Sequence, residues 1–216
     1  MKTINGICLP DEDTHFEELL GRSPLIDGKA TYQLKKYLKA RESIRTFCLA
    51  VDIGAHVGLW SRVMSLDFLR VIAFEPVARH RECFLRNCAD RTNIELLPFA
   101  VGDVNGPLQM TEVADNSGNA RVSTTRDGER TTCVTLDSYS FPQRIDFLKI
   151  DVEGFETKVV VGGEYRIKHD KPTIIIEQKP GNAEQFGFKQ FDAFKLLKAW
   201  GAIEVATMSG DVILRW

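Results

Sequence analysis

From Phe47 onward the chain alternates between short apolar runs and stretches with helical spacing. "FCLAVDIG" is an apolar run closed by Asp and Gly, "GLWSRVMSLDFL" repeats apolar residues at helical intervals, and "RVIAFEP" is a second run stopped by Pro76. "VARHRECFLRNCADR" is helical again, and "IELLPFAVGD" reads as a third strand. After an interruption the rhythm resumes with "IDFLKID" as a strand, "GFETKVVVGGEYRIK" as one helix and "PTIIIEQ" as a strand. "KQFDAFKLLKAWG" reads as a helix ended by Gly201, and "AIEVAT" with "DVILRW" as a closing hairpin. Strands separated by helices of this length pair in parallel through right-handed crossovers. The pattern predicts an α/β fold with about seven strands in its main sheet and helices on both faces.

Two segments stand outside the rhythm. In residues 1–47, "TYQLKKYLKARES" places Tyr32, Leu34, Tyr37 and Leu38 among basic residues and reads as an amphipathic helix. This segment is expected to be a helical extension packed on a core domain spanning 48–216. Around 104–140, "PLQMTEV" and "TTCVTLDSY" read as strands of an antiparallel insertion, joined by the polar, turn-rich "ADNSGNARVSTTRDGER". A loop of that length inside a compact domain usually carries function or moves, and the segment 114–130 is expected to close over a substrate.

Composition narrows the class. At 216 residues, with 44% hydrophobic and 27% charged, the chain suits one large packed domain and not disorder. A net charge of −2 is too balanced for a polyanion to be the main partner, so nucleic acid is disfavoured. The five cysteines form no C-x-x-C pair, and their odd number argues against a disulfide framework. The start, "MKTINGICLPDED", lacks the apolar centre of a signal peptide, and no run approaches a membrane span. The chain reads as soluble and cytoplasmic.

Candidate chemistry gathers at the ends of the apolar runs. In "AVDIGAHVGLWS" a buried strand ends at Asp52, Gly54 and Gly58 flank a tight turn, and a helix follows. Such a turn lets backbone approach a ligand closely, beside free helix N–H groups. A nicotinamide-binding turn would read G-x-G-x-x-G; here the spacing is G-x-x-x-G, with His56 in the middle. Glu75 ends the next strand, where an acid can accept both hydroxyls of a ribose. Pro76 and Val77 follow as an apolar shelf, and Asp103 ends the third strand. In "FLKIDVEGFE", Asp151, Glu153 and Glu156 put three carboxylates within six residues. Lys149 shares a strand face with Asp151, and Glu177 ends the neighbouring strand. Glu153 and Glu156 also suit the acidic first turn of a helix.

The Asp-x-Gly-x-x-x-Gly pattern resembles the first motif of class I S-adenosylmethionine-dependent methyltransferases. "VDIGAHVGLWS", "AFEP", "PFAVGD", "TLDSY", "LKIDVEGFE" and "PTIIIEQ", in that order, resemble the FkbM family of these enzymes. The resemblance covers roughly Val51 to Gln178, and "IDVEGFE" is its most specific element. It implies a Rossmann-like class I methyltransferase sheet whose last strand is antiparallel. It also implies methyl transfer to oxygen, often on a sugar, a lipid-linked glycan or a polyketide hydroxyl. On that reading Asp52, Gly54, His56, Gly58, Glu75, Pro76 and Asp103 hold S-adenosylmethionine, with Asp103 on the adenine amino group. Asp151, assisted by Glu153, Lys149 and Glu177, handles the acceptor hydroxyl. The family commonly has Asn at the position of His56.

Oxygen-rich clusters suit Mg²⁺ or Ca²⁺, but no His–carboxylate pair at ligand spacing accompanies these acids, so a divalent metal is not the favoured reading and no residue is assigned to one. Two further alternatives remain, a nicotinamide-dependent oxidoreductase or epimerase on a similar sheet, and a non-catalytic cofactor-binding module.

Overall fold

The computed structural model describes residues 1–22, 31–113, 115–125 and 127–216. The side chain of Tyr32 and loop positions 114 and 126 lie outside the described residues. The chain opens with a hairpin, β1 (Lys2–Ile4) and β2 (Ile7–Leu9), followed by helices α1 (His15–Arg22) and α2 (Thr31–Arg41). Then come β3 (Leu49–Ile53), α3 (Leu59–Met64), β4 (Arg70–Phe74), α4 (Ala78–Asn87) and β5 (Ile94–Leu97). An excursion carries β6 (Phe99–Val101), β7 (Gly106–Thr111), β8 (Arg121–Val122) and β9 (Glu129–Val134). The core resumes with β10 (Phe147–Ile150), α5 (Glu156–Gly162), α6 (Glu164–Asp170), β11 (Thr173–Glu177), α7 (Asp192–Ala199), β12 (Ile203–Met208) and β13 (Asp211–Arg215).

Seven strands form the main sheet in the order β12-β13-β11-β10-β3-β4-β5. Pairing is parallel from β11 through β5, and β13 and β12 run antiparallel at the other edge. Alternation along each strand sorts the side chains. Leu49, Val51, Ile53, Leu148, Ile150, Ile174 and Ile176 face one cluster with Val159, Val160, Ile167 and Leu197 of α5 to α7. Ala50, Phe147 and Ile175 face the other side, with Tyr37 and Ala40 of α2 and Trp60, Val63 and Met64 of α3. Both sheet faces are thereby covered, as parallel sheets require. Burying a side chain of this size contributes about 1.5–3 kcal/mol. Among the described residues no helix is long and apolar enough to cross a membrane, and all five cysteines are free.

Four expectations need correction. The N-terminal segment is not purely helical: Asn5 and Gly6, with φ of 48° and 80°, make a two-residue turn between β1 and β2. Asn-Gly is the residue pair that such a hairpin favours. On α2, Tyr37 is buried but Leu38 is exposed, so its apolar face is narrower than the spacing implied. "IELLPFAVGD" is not one strand. It breaks at Pro98, which cannot donate to a ladder; β5 stays at the sheet edge, and β6 pairs parallel with β9 in a separate four-stranded sheet. The insertion is antiparallel where β7 meets β8 and β9.

"GFETKVVVGGEYRIK" is likewise two helices. Gly163, at φ −116° and ψ 16°, leaves helical geometry between α5 and α6. A Cβ on Gly162 would fall inside the carbonyl oxygen of Gly102, and one on Gly163 would lie 2.7 Å from Leu136 Cδ1. The two glycines therefore let α5 press against the end of β6. Gly162→Ala should cost about 1–3 kcal/mol through overpacking, read as a Tm lower by several degrees in a thermal melt. An unchanged melt would mean that this helix end tolerates a methyl group.

Candidate active site at the sheet switch point

From β3 the chain steps outward through β4 and β5, then returns to place β10 and β11 on the other side of β3. Open α/β sheets bind ligands at the carboxyl ends of strands where the order reverses, here between β3 and β10. Gly54 leaves β3 with φ +76°, and a Cβ there would overlap the backbone carbonyl of Asp151, so the two strand ends touch. Asp52 and Lys149 are register partners on these strands. Lys149 Nζ lies 3.2 Å from Asp52 Oδ1 and donates to the carbonyl of Gly54 at 2.6 Å. Asp52 also accepts from Ser61 Oγ on α3 at 2.6 Å. Burial would lower the Lys149 pKa, but Asp52 and then Asp151 outweigh it and hold the ammonium above its ordinary value.

Glu75 follows β4 and is buried at the cavity. Its Oε2 accepts the His56 N–H at 2.7 Å and its Oε1 the Val77 N–H at 2.9 Å. His80 Nδ1, on α4, lies 3.2 Å from Oε1. Burial pushes this carboxyl up, but His80 and the two N–H groups overcome it and leave the pKa below the usual glutamate value. His56 takes a left-handed φ of 51°, a region in which Asn and His are enriched among non-glycine residues. Its Nε2 lies 2.6 Å from Ser117 Oγ, and Ser117 Oγ in turn donates to the buried carboxylate of Asp13. A hydroxyl has one proton to give, so His56 donates from Nε2 and leaves Nδ1 bare. Burial, then the charges of His80, Lys149 and Arg79, push His56 well below its ordinary pKa, in keeping with a neutral ring.

At the opposite end the acids crowd. Asp151 follows β10 with its side chain 34% exposed, 3.7 Å from Lys149 Nζ. Glu153 takes φ 52°, and its two oxygens accept from Lys179 Nζ at 2.9 Å and Asn182 Nδ2 at 2.7 Å. Lys179 also lies 2.9 Å from Glu177 Oε1. Burial, then Asp151, raise the Glu153 pKa against Lys179 and Asn182. Burial, then Asp151 and Glu153, push Glu177 up to about 9. Asp211, paired with Lys36 at 2.7 Å, is raised to about 6, by burial first and Asp151 next.

One cavity of about 420 Å³ joins the two ends, within the range of about 300–1,000 Å³ usual for small-molecule sites. Gly54, His56, Glu75, Pro76, Lys149, Asp151, Glu153 and Glu177 line it, with Pro76, Val101, Met110, Val122 and Phe155 as an apolar wall. Three residues that the resemblance assigns to the cofactor do not. Asp52 is fully buried behind the turn, occupied by Ser61 and Lys149. Gly58 begins α3 against Phe84 and Cys88. Asp103 lies beyond the break at Pro98 and pairs with Lys158 at 2.6 Å. Of the three strand-end acids expected to hold the cofactor, Glu75 lines the cavity and Asp52 and Asp103 do not. Val77 is buried with Met110, Val122 and Phe155 and is not on the cavity surface.

The structure also adds residues outside the assigned site. His80 is buried on Glu75, and Lys179 stands between two glutamates. Phe16 of α1, with its ring 4.8 Å from His56, lines the cavity, as do Lys36 and Asp211. Lys179 had a usable signal, since it stands two positions after Glu177, on the same side of an extended chain. The contacts of Asp13, Phe16 and Ser117 join distant segments and carry no local pattern.

Residues 52–203 match the family described as Methyltransferase FkbM domain. No curated protein sequence matches the chain. Among solved structures, methyltransferase FkbM from Methylobacillus flagellatus KT is similar at 16% identity and TM-score 0.51, covering 87% of this chain and 56% of that one. The chain thus spans little more than half of that relative. N-methyltransferase NodS from Bradyrhizobium japonicum WM9, in complex with S-adenosyl-L-homocysteine, is similar at 9% identity and TM-score 0.54, covering 95% and 87%. Precorrin-6y C5,15-methyltransferase from Geobacter metallireducens GS-15 is similar at 15% identity and TM-score 0.51, covering 87% and 88%. At these identities the shared property is the Rossmann-like methyltransferase fold.

Glu156 supports the site from below. Its Oε1 accepts the N–H groups of Val152 and Gly154, each at 3.1 Å, which holds the loop carrying Asp151 and Glu153. Burial pushes its pKa from 4.5 to about 7, against those hydrogen bonds. A raised carboxyl binds its proton more tightly when folded, so its contribution is full below about 4.5 and is lost as pH rises toward about 7. Glu156→Gln keeps an acceptor oxygen and removes the charge. Chemical denaturation should find the variant more stable than the parent at pH 8, by on the order of 2 kcal/mol, and equal to it near pH 4. A gap that is the same at both pH values would reject this account.

Proposed function

The chain belongs to the FkbM methyltransferase domain family, and on that premise we propose that it transfers a methyl group from S-adenosylmethionine to a hydroxyl of a sugar, a glycan or another small polyhydroxylated acceptor. The observation that carries this reading is that one cavity spans from the glycine turn and Glu75 to Asp151. The residues present suit the cofactor. The bare backbone at Gly54 leaves room for close approach, the apolar wall suits an adenine, and Glu75 keeps one lone-pair site, on Oε2, beyond those its three donors use, enough for one ribose hydroxyl. Pro76 and His56 complete that end. Asp52 and Gly58 act by holding the turn and Lys149 in place, and Asp103 is left without a role at the cavity.

When bound, the cofactor supplies a methyl group on a cationic sulfur that leaves as a neutral thioether. Asp151 is the base: its carboxylate takes the proton from the acceptor hydroxyl as the oxygen gains the methyl group. Lys149, held between Asp52 and Asp151, keeps that carboxylate oriented. Glu153 and Glu177 flank it and bind further hydroxyls of the acceptor. A positioned base of this kind contributes about 10²–10⁴-fold.

Two measurements test the reading. Calorimetry should find S-adenosylhomocysteine bound by the parent and at least about 10-fold more weakly by Glu75→Ala, the loss of a charge-assisted hydrogen bond; no binding by the parent would overturn the proposal. On a panel of free sugars and glycans, Asp151→Asn should lower kcat by about 100-fold or more with cofactor affinity nearly unchanged. The reverse pattern would reassign both residues. Tight binding without turnover on any hydroxyl would favour a non-catalytic module.

A further inference from the structure

Negative charge in the cavity exceeds what its neighbours cancel. Asp151, Glu153 and Glu177 each offer one carboxylate oxygen, and these oxygens all lie within 4.8 Å of one another. They arrive from two adjacent strand ends, β10 and β11. Lys149 is shared among Asp52, the carbonyl of Gly54 and, at 3.7 Å, Asp151, and Lys36 pairs with Asp211. Lys179, 2.9 Å from Glu153 and from Glu177, is the other ammonium that meets these three carboxylates among the described residues. Glu177 supplies a second, separate observation. Its side chain is 9% exposed, and its Oε2 is buried with no hydrogen-bond partner. A buried carboxylate oxygen without a donor is costly unless something else binds it.

We propose that Asp151, Glu153 and Glu177 bind one hard divalent cation of calcium's size at the acceptor end of the cavity. The donor set is all oxygen, which suits Ca²⁺, Mn²⁺ or Mg²⁺ over zinc or copper. Two oxygens on one ion stand at most twice the metal–oxygen distance apart. For calcium that limit is about 4.6–5.2 Å, which admits the observed spread; for magnesium it is about 4.2 Å, and the cluster would have to tighten. Across the linked cluster, the acids Asp52, Asp151, Glu153, Glu177 and Asp211 exceed the ammonium groups of Lys36, Lys149 and Lys179 by two, the charge of one divalent ion. The raised pKa of Glu177 agrees with a cluster short of positive charge. Lys179, with its side chain 45% exposed, fills part of the deficit and is free to swing outward as an ion enters. Three protein oxygens leave positions of a six- to eight-coordinate ion open, and neighbouring hydroxyls of a polyhydroxylated acceptor are suitable ligands for them. The sequence reading passed over a metal because no histidine accompanies these acids; a hard cation needs none.

The inference concerns the cavity assigned to methyl transfer but does not rest on that assignment, because the cation can be measured without cofactor. Tb³⁺, a calcium-sized hard cation, serves as the probe on the whole chain, with Trp60 on the cavity wall as its sensitiser. We expect sensitised luminescence at a stoichiometry of one, displaced by Ca²⁺. Glu177→Gln and Asp151→Asn should each weaken Ca²⁺ at least about 10-fold, since each removes a charged ligand. Lys179→Gln should tighten Ca²⁺ several-fold by removing a competitor, a gain that misfolding cannot imitate. The proposal is overturned if neither the parent nor Lys179→Gln binds Ca²⁺-displaceable Tb³⁺, or if Glu177→Gln and Asp151→Asn bind Ca²⁺ as the parent does. Calorimetry with S-adenosylhomocysteine on the same samples separates the two readings. Cofactor binding without cation binding sinks this inference alone, and the opposite result sinks the methyl-transfer reading alone.

Discussion

The contact on which the site depends is between backbone and backbone. Gly54 at the end of β3 lies so near the carbonyl of Asp151 that no side chain fits between them. This approach sets the separation of the two strand ends at the point where the sheet reverses its order, and so sets where the cavity opens. Beneath it, the buried pair of Asp52 and Lys149 ties the same two strands from one face. A buried ion pair adds little net stability, since desolvation offsets the attraction. Its value here is geometric: the Lys149 ammonium reaches the Gly54 carbonyl and brings a fixed positive charge to within 3.7 Å of Asp151.

The cavity acids fall into two groups, and donors decide which group each joins. Glu75 is as buried as Glu153 and Glu177, yet two backbone N–H groups and His80 serve its oxygens, so its pKa lies below the usual glutamate value. Glu177 has Lys179 on one oxygen and nothing on the other, and two more acids beside it. Burial without donors raises a carboxyl, and burial with them can lower it. The Glu75 end of the cavity therefore favours a charged carboxylate, while the Glu177 end is short of donors and of positive charge.

Much of this was readable in the chain. The apolar runs 49–53, 70–74, 147–150 and 173–177 became the central strands because nothing in them interrupts a ladder, and the acids that close them stand where the runs end. The misreadings came from single residues that act against their surroundings. Pro98 splits an otherwise continuous apolar run and sends Asp103 to a second sheet. Gly162 and Gly163 stop a helix whose spacing alone would carry on, because Gly102 and Leu136 press against them from far along the chain. Asp52 looked like a ligand residue, but strand alternation turns it toward α3 and Lys149. The Asn5-Gly6 turn was legible in principle and was hidden by strands of three residues each. The chain of Asp13, Ser117 and His56 was not legible at all, since pairing of residues about a hundred positions apart leaves no period to detect.

That chain also bears on the order in which the molecule is assembled. Asp13 and its partner Ser117 stand 104 residues apart, and Ser117 sits in a turn that hangs from a sheet completed by β9. This contact therefore cannot form until the chain has reached Ser117, and it closes only when the insertion has brought that turn to the segment before α1.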